Sequence, residues 1–92
     1  MMESKGNTAE NIKELRRVMD ITQQQFSDMI GFMDRAIISS YENGKRKPGI
    51  RACYKIIEVC KERGIEIDLE FLRPDESKIR YNDDYFYNKR KV

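Results

Sequence analysis

Arg35, Lys45, Arg46, Lys47, Arg51 and Lys55 fall within positions 34–55, where only Asp34 and Glu42 oppose them. That stretch sums to +4, the residues before and after it to −1 each, and the whole 92-residue chain to only +2. Cations gathered in one block suit a phosphate backbone; the competing reading is a solvated charged face. Catalysis is a poor fit to the rest of the inventory. The chain has no histidine, Ser39 and Ser40 have no base beside them, and there is no glycine-rich phosphate loop, so we expect no enzyme, no metal and no cofactor. Cys53 and Cys60 are seven positions apart on one expected helix, roughly 10 Å at the helical rise, which is beyond disulfide reach. Buried apolar thiols are the expectation.

Ninety-two residues suffice for one domain with a small core. The longest apolar runs, such as Ala36-Ile37-Ile38, are far too short to span a bilayer. The N-terminus has neither the basic start nor the apolar stretch of a signal peptide, so the expected location is the cytoplasm, with no membrane and with both cysteines reduced.

The elements that must position the cations can be read from caps and periodicity. After a flexible N-terminus at 1–6, Asn7 can cap a first helix with Glu10 as its reciprocal partner, and Ile12, Leu15 and Met19 form its apolar stripe. Thr22-Gln23-Gln24-Gln25 is a capping box, with Ile21 and Phe26 as a hydrophobic staple around it. Phe26, Met29 and Ile30 bury that second helix, and Gly31 ends it. Asp34 caps a third helix, Arg35 to Tyr41, with Met33 and Ile38 as a second staple. Asn43-Gly44 and Pro48 close it on either side of the basic run.

A fourth helix runs from about Ile50 to Arg63 on the spacing of Cys53, Ile56, Ile57 and Cys60. Ile65, Ile67, Leu69 and Phe71 alternate as a strand would, but Asp68 as a cap favours a short helix through Leu72. The expected domain spans 7–73, followed by a C-terminal extension at 74–92. In it, Tyr85-Phe86-Tyr87 is too aromatic for a purely disordered tail. A dimer contact, a strand and an arm all stay open for that segment, and Lys89-Arg90-Lys91 reads as a solubilising end before it reads as a phosphate-seeking arm.

Two short helices joined by a tight turn that begins with glycine make a helix-turn-helix. Ser27 is the fifth residue from Gln23, where the partner helix crosses closely, and Gly31 is the ninth. With Ile12-Lys13-Glu14-Leu15-Arg16, Ile21-Thr22-Gln23, Phe26-Ser27, Ile30-Gly31, Ile38-Ser39, Tyr41-Glu42-Asn43-Gly44-Lys45-Arg46 and Pro48, the chain resembles the phage-repressor and Cro-like helix-turn-helix proteins, the XRE family, over about residues 10–72. The stretch from Gly31 to Glu42 is one residue longer than the commonest family form. With the extra residue placed in the turn, Ile38 enters the core and Ile37 faces outward.

The resemblance implies an all-α fold, a compact bundle of four to five short helices of the lambda-repressor-like type, whose third helix enters the major groove. Arg35, Ala36, Ile37 and Ser40 would then read bases: Arg35 suits guanine or, nearly as well, a phosphate; Ala36 and Ile37 suit thymine methyls; Ser40 suits one hydrogen bond. Gln23, Ser39, Asn43, Lys45, Arg46 and Lys47 would hold phosphates, with the Asn43 and Gly44 backbone N–H groups contributing. Arg16 and Glu42 would form a scaffold ion pair between the first and third helices, and Tyr41 would be core. The implied function is a Cro-like repressor that binds a near-palindromic double-stranded operator as a homodimer, with recognition helices roughly 34 Å apart. The alternative is an antitoxin or other regulator whose C-terminal segment binds a protein partner.

Overall fold

The structure, a computed structural model, describes residue 2 and residues 4–74. Five helices carry the chain: α1 (Thr8–Met19), α2 (Gln23–Ile30), α3 (Arg35–Glu42), α4 (Ile50–Glu62) and α5 (Leu69–Leu72). Among the described residues there is no strand, so the all-α bundle with a central helix-turn-helix is what forms.

The local signals act where they were expected. Asn7 Oδ1 accepts from the Glu10 backbone N–H at 2.8 Å and starts α1, although the Glu10 carboxylate turns to Lys13 Nζ at 3.3 Å rather than completing a box. Thr22 and Gln25 make both bonds of the capping box, at 3.0 and 2.8 Å. Asp34 accepts from Ile37 N at 3.0 Å to open α3. Gly31 ends α2 at φ 93°, a left-handed conformation that a side chain would strain even though open space surrounds its Cα. Asp68 accepts from Phe71 N at 3.0 Å, which decides for the short helix α5 over a strand. Two boundaries move by one residue: α3 takes in Glu42, and α4 ends at Glu62 with Arg63 as its cap.

Fully buried Ile12, Leu15, Phe26, Ile38 and Ile56 tie α1 to α4 into one core, and Cys53 and Cys60 line it from α4. Burial pushes the Cys60 thiol up to about 11, so at neutral pH it is protonated and a poor nucleophile. α1 packs on α3 and α5, α2 on α3 and α4, and α4 on α5. Ser27 is buried on α2, and its hydroxyl donates to Gln24 O at 2.8 Å within its own helix. That local bond lets a polar side chain be buried without an unmet donor.

α5 is held by two polar residues that periodicity did not single out. Thr8 Oγ1 donates to Leu72 O at 2.8 Å, and Asn11 Nδ2 donates to Phe71 O at 2.7 Å. Asn11 is fully buried; its Oδ1 accepts from Lys5 N at 2.5 Å, and its Nδ2 also reaches Ser4 Oγ at 3.0 Å. A helix of four residues has no carbonyl ladder of its own, so these side chains meet carbonyls that would otherwise be buried unpaired. Asn11→Ala is expected to lower unfolding free energy by about 1–3 kcal/mol, read as an earlier midpoint in urea with an unchanged slope. A loss within about 0.5 kcal/mol would show that α5 docks by its apolar face alone.

Candidate nucleic-acid interface

Ile38, Tyr41 and Glu42 are the buried residues of α3. At 100° per residue they point to one side, and Ala36, Ser40 and Asn43 lie opposite them. Arg35, Ala36 and Asn43 are exposed, and Ser39 and Ser40 are half-buried. Ile37 departs from expectation: it is half-buried and packs on the edge of the core instead of facing fully outward. One position from Ile38 is a 100° turn, which on a two-turn helix reaches the flank and not the far side. Ile38 is in the core, at 0% exposure, as expected.

Arg16 and Glu42 come together as a two-pronged pair, Nε to Oε2 at 2.5 Å and Nη2 to Oε1 at 2.8 Å. Arg16 Nη1 donates to Ile21 O at 3.0 Å, so a single guanidinium ties α1, the α1–α2 turn and the end of α3. Hydrogen bonding to Glu42 raises the Arg16 pKa above its ordinary value, with burial opposing. Gln23 also turns inward: its Nε2 donates to Glu42 Oε1 at 3.2 Å. One of its two amide hydrogens is thereby committed to the scaffold, and only the other is left for a phosphate. Glu42 draws the amide because a 5%-exposed carboxylate, an acceptor at both oxygens, must find its donors nearby.

Arg16, Gln23, Gln24 and Arg35 line one open groove beside the start of α2. The Thr22 cap takes the N–H of Gln25 and Phe26 N bonds to Thr22 O, which leaves the first two N–H groups of α2, on Gln23 and Gln24, for an outside acceptor.

On the other side of α3 the basic run is hooked onto the helix. Lys45 N and Arg46 N both donate to Ser40 O, at 3.0 and 3.2 Å, and Gly44, at φ 81°, makes the turn that allows it. This corrects the expected role of the turn backbone. Asn43 N donates to Ser39 O at 3.0 Å and Gly44 N to Tyr41 O at 3.3 Å, so neither N–H is offered outward. Closing the helix C-terminus uses them, because the last carbonyls of α3 need donors. Asn43 Oδ1 accepts from Lys45 N at 3.1 Å, which leaves the Nδ2 amide as the exposed donor. Lys45, Arg46 and Lys47 are exposed.

The six cations of the central block divide. Arg51 lies over the Phe32 ring, 4.6 Å from its centroid, and Lys55 pairs with Glu58 at 3.0 Å. Both sit on α4 beside the turn between α2 and α3. Phe32, in the turn between α2 and α3, is 44% exposed, and Arg51 covers part of it; no spacing rule signals such a contact. Arg35, Lys45, Arg46 and Lys47 are the cations that frame α3. Tyr41 is core at 4% exposure, and burial raises its phenol pKa, with Arg46 opposing.

Among the described residues no three acidic or cysteine side chains are placed to hold a metal ion, and no helix is long and apolar enough to cross a membrane. Tyr85, Phe86, Tyr87, Lys89, Arg90 and Lys91, weighed as dimer contact or arm, lie outside the described residues.

Compared with known proteins, residues 12–67 match a family model described as helix-turn-helix, from within α1 to the turn before α5. No curated protein and no solved structure matches significantly. The matched span holds the Arg16–Glu42 pair, both helices of the motif and the basic turn, and the chain belongs to the XRE/Cro-like helix-turn-helix family of DNA-binding transcriptional regulators.

Proposed function

We propose that the protein is a Cro-like repressor that binds a near-palindromic operator as a homodimer, with α3 in the major groove. The observation that carries this reading is the exposed face of α3, flanked on both sides by groups suited to phosphate. On one side are Gln23, the start of α2 and Arg35; on the other are Asn43, Lys45, Arg46 and Lys47. Backbone contacts on both walls of a groove fix the register of the helix between them, and base contacts then specify sequence. Arg35, Ala36 and Ser40 are the base readers in this arrangement, with the half-buried Ile37 reaching a base only from the flank. Ser39, on the flank, is a phosphate contact through its hydroxyl. A helix of two turns touches only a few base pairs, so an operator long enough to be distinctive requires two copies.

Fluorescence anisotropy tests this with the full chain, duplex from the promoter region beside its own gene, a scrambled duplex, and a salt series. The expected result is binding to the promoter duplex at least about 1,000-fold tighter than to the scrambled one, at two protomers per site. Equal, steeply salt-dependent binding to both duplexes would reduce the surface to a nonspecific polyanion contact. A footprint over one asymmetric half-site would remove the dimer.

A further inference from the structure

The Ser40 hydroxyl donates to the Ala36 backbone carbonyl at 3.0 Å. A serine hydroxyl carries one hydrogen and two lone pairs, so in this arrangement its outward side is an acceptor. Ala36 stands one turn earlier on the same stripe of α3, exposed and presenting only a methyl group. The middle of the outward face therefore offers an acceptor and an apolar group and no free donor. The donors stand at its ends, on Arg35 and on the Nδ2 amide of Asn43.

In the major groove only adenine and cytosine present an amino donor, and only thymine presents a methyl. Guanine offers two acceptors, N7 and O6, which face an acceptor unfavourably. We infer that Ser40 and Ala36 together select an A·T pair, Ser40 accepting from the adenine N6 amino group while the Ala36 methyl meets the thymine methyl. This rests on the proposed seating of α3 in the major groove and adds to it the base and the direction of the hydrogen bond. An apolar contact and an acceptor side by side fit one A·T pair or two adjacent ones; a C·G pair meets the acceptor but has no methyl for Ala36.

The test starts from a duplex library randomised over about two helical turns, selected with the full-length protein. Single-position variants of the enriched site are then measured with the wild type, Ser40→Ala and Ser40→Thr. Both substitutions suit a half-buried position on the outward stripe of a helix, and threonine keeps the hydroxyl and its bond to the preceding turn. Ser40→Ala is expected to flatten the preference at one A·T position in each half-site, and Ser40→Thr to keep it.

At that position, purine in place of adenine removes the N6 amino group and should weaken wild-type binding about 5-fold, whereas 7-deazaadenine, which lacks N7, should change it less than about 2-fold. Ser40→Ala should bind all three duplexes alike. A loss on 7-deazaadenine in place of purine means that the hydroxyl donates to N7, and overturns the inference. A Ser40-dependent position that prefers G·C overturns it as well. If Ser40→Ala alters no position while Arg35→Ala does, the seating of α3 stands and the role of Ser40 falls. If no sequence is enriched, the operator reading falls first and takes this inference with it.

Discussion

Glu42→Ala is expected to destabilise the domain by about 2–3 kcal/mol, with a fall in Tm of roughly 10–15 °C. The carboxylate is 5% exposed and takes hydrogen bonds from Arg16 at 2.5 and 2.8 Å and from Gln23 at 3.2 Å. Its removal strands a guanidinium among α1, α2 and α3. Breaking a fully buried pair costs about 3–5 kcal/mol; Arg16 is 24% exposed, so water recovers part of that. Glu42→Gln keeps the shape and one acceptor and should cost less than half as much. Arg16→Met should destabilise too, but the double variant should fall short of the sum by more than about 1 kcal/mol. Additivity within about 0.5 kcal/mol would mean the two charges are independent and the pair does not hold α3 in place. Thermal unfolding followed by circular dichroism gives the stability cycle, and anisotropy on the same four proteins gives the cycle in DNA affinity. The proposed scaffold role requires coupling in both.

Replacing Lys45, Arg46 and Lys47 together by alanine should weaken DNA binding on the order of 100-fold near physiological salt and reduce the log–log salt slope by about 2.7, since each phosphate contact contributes about 0.9. Promoter and scrambled duplexes should lose affinity alike, because phosphates carry no sequence information directly. The fold should be nearly unaffected: the three side chains are exposed, and it is the backbone of Lys45 and Arg46 that closes α3 onto Ser40 O. Arg35→Ala separates the two terms. A change in which base is preferred makes Arg35 a base reader, and a uniform loss makes it a phosphate contact. An unchanged salt slope in the triple variant would mean that the basic turn does not meet the backbone, and that the groove between α2 and Arg35 carries the phosphate contacts alone.

The caps at Asn7, Thr22, Asp34 and Asp68 were legible because each is a bond between residues three apart. The helices and most of the core followed from those caps and from apolar spacing, although Met19, Met29 and Ile57, read as part of the buried stripes, are only partly buried. The inward placement of Ile38 was legible for the same reason, since the Met33–Ile38 staple spans a single cap. The candidate site was readable as a set of residue types but only in part as an arrangement. Asn43 and Gly44 each carry a backbone N–H after the recognition helix, and from the sequence alone both look available. Whether such a group faces out or closes the helix depends on where the chain goes next, and here it folds back so that four successive N–H groups bond to carbonyls of α3.

Tertiary structure decided what distant side chains do to one another. Gln23 spends an amide hydrogen on Glu42, nineteen positions away. Thr8 and Asn11 hold α5 across more than half of the chain, and Arg51 leaves the basic block to cover Phe32. Local order was determined by the sequence because a cap or an apolar stripe gains its energy within a turn or two of helix. The partners of polar and charged side chains were not, because a hydrogen bond is awarded by proximity after packing, and residues far apart in the chain then compete for the same buried acceptor.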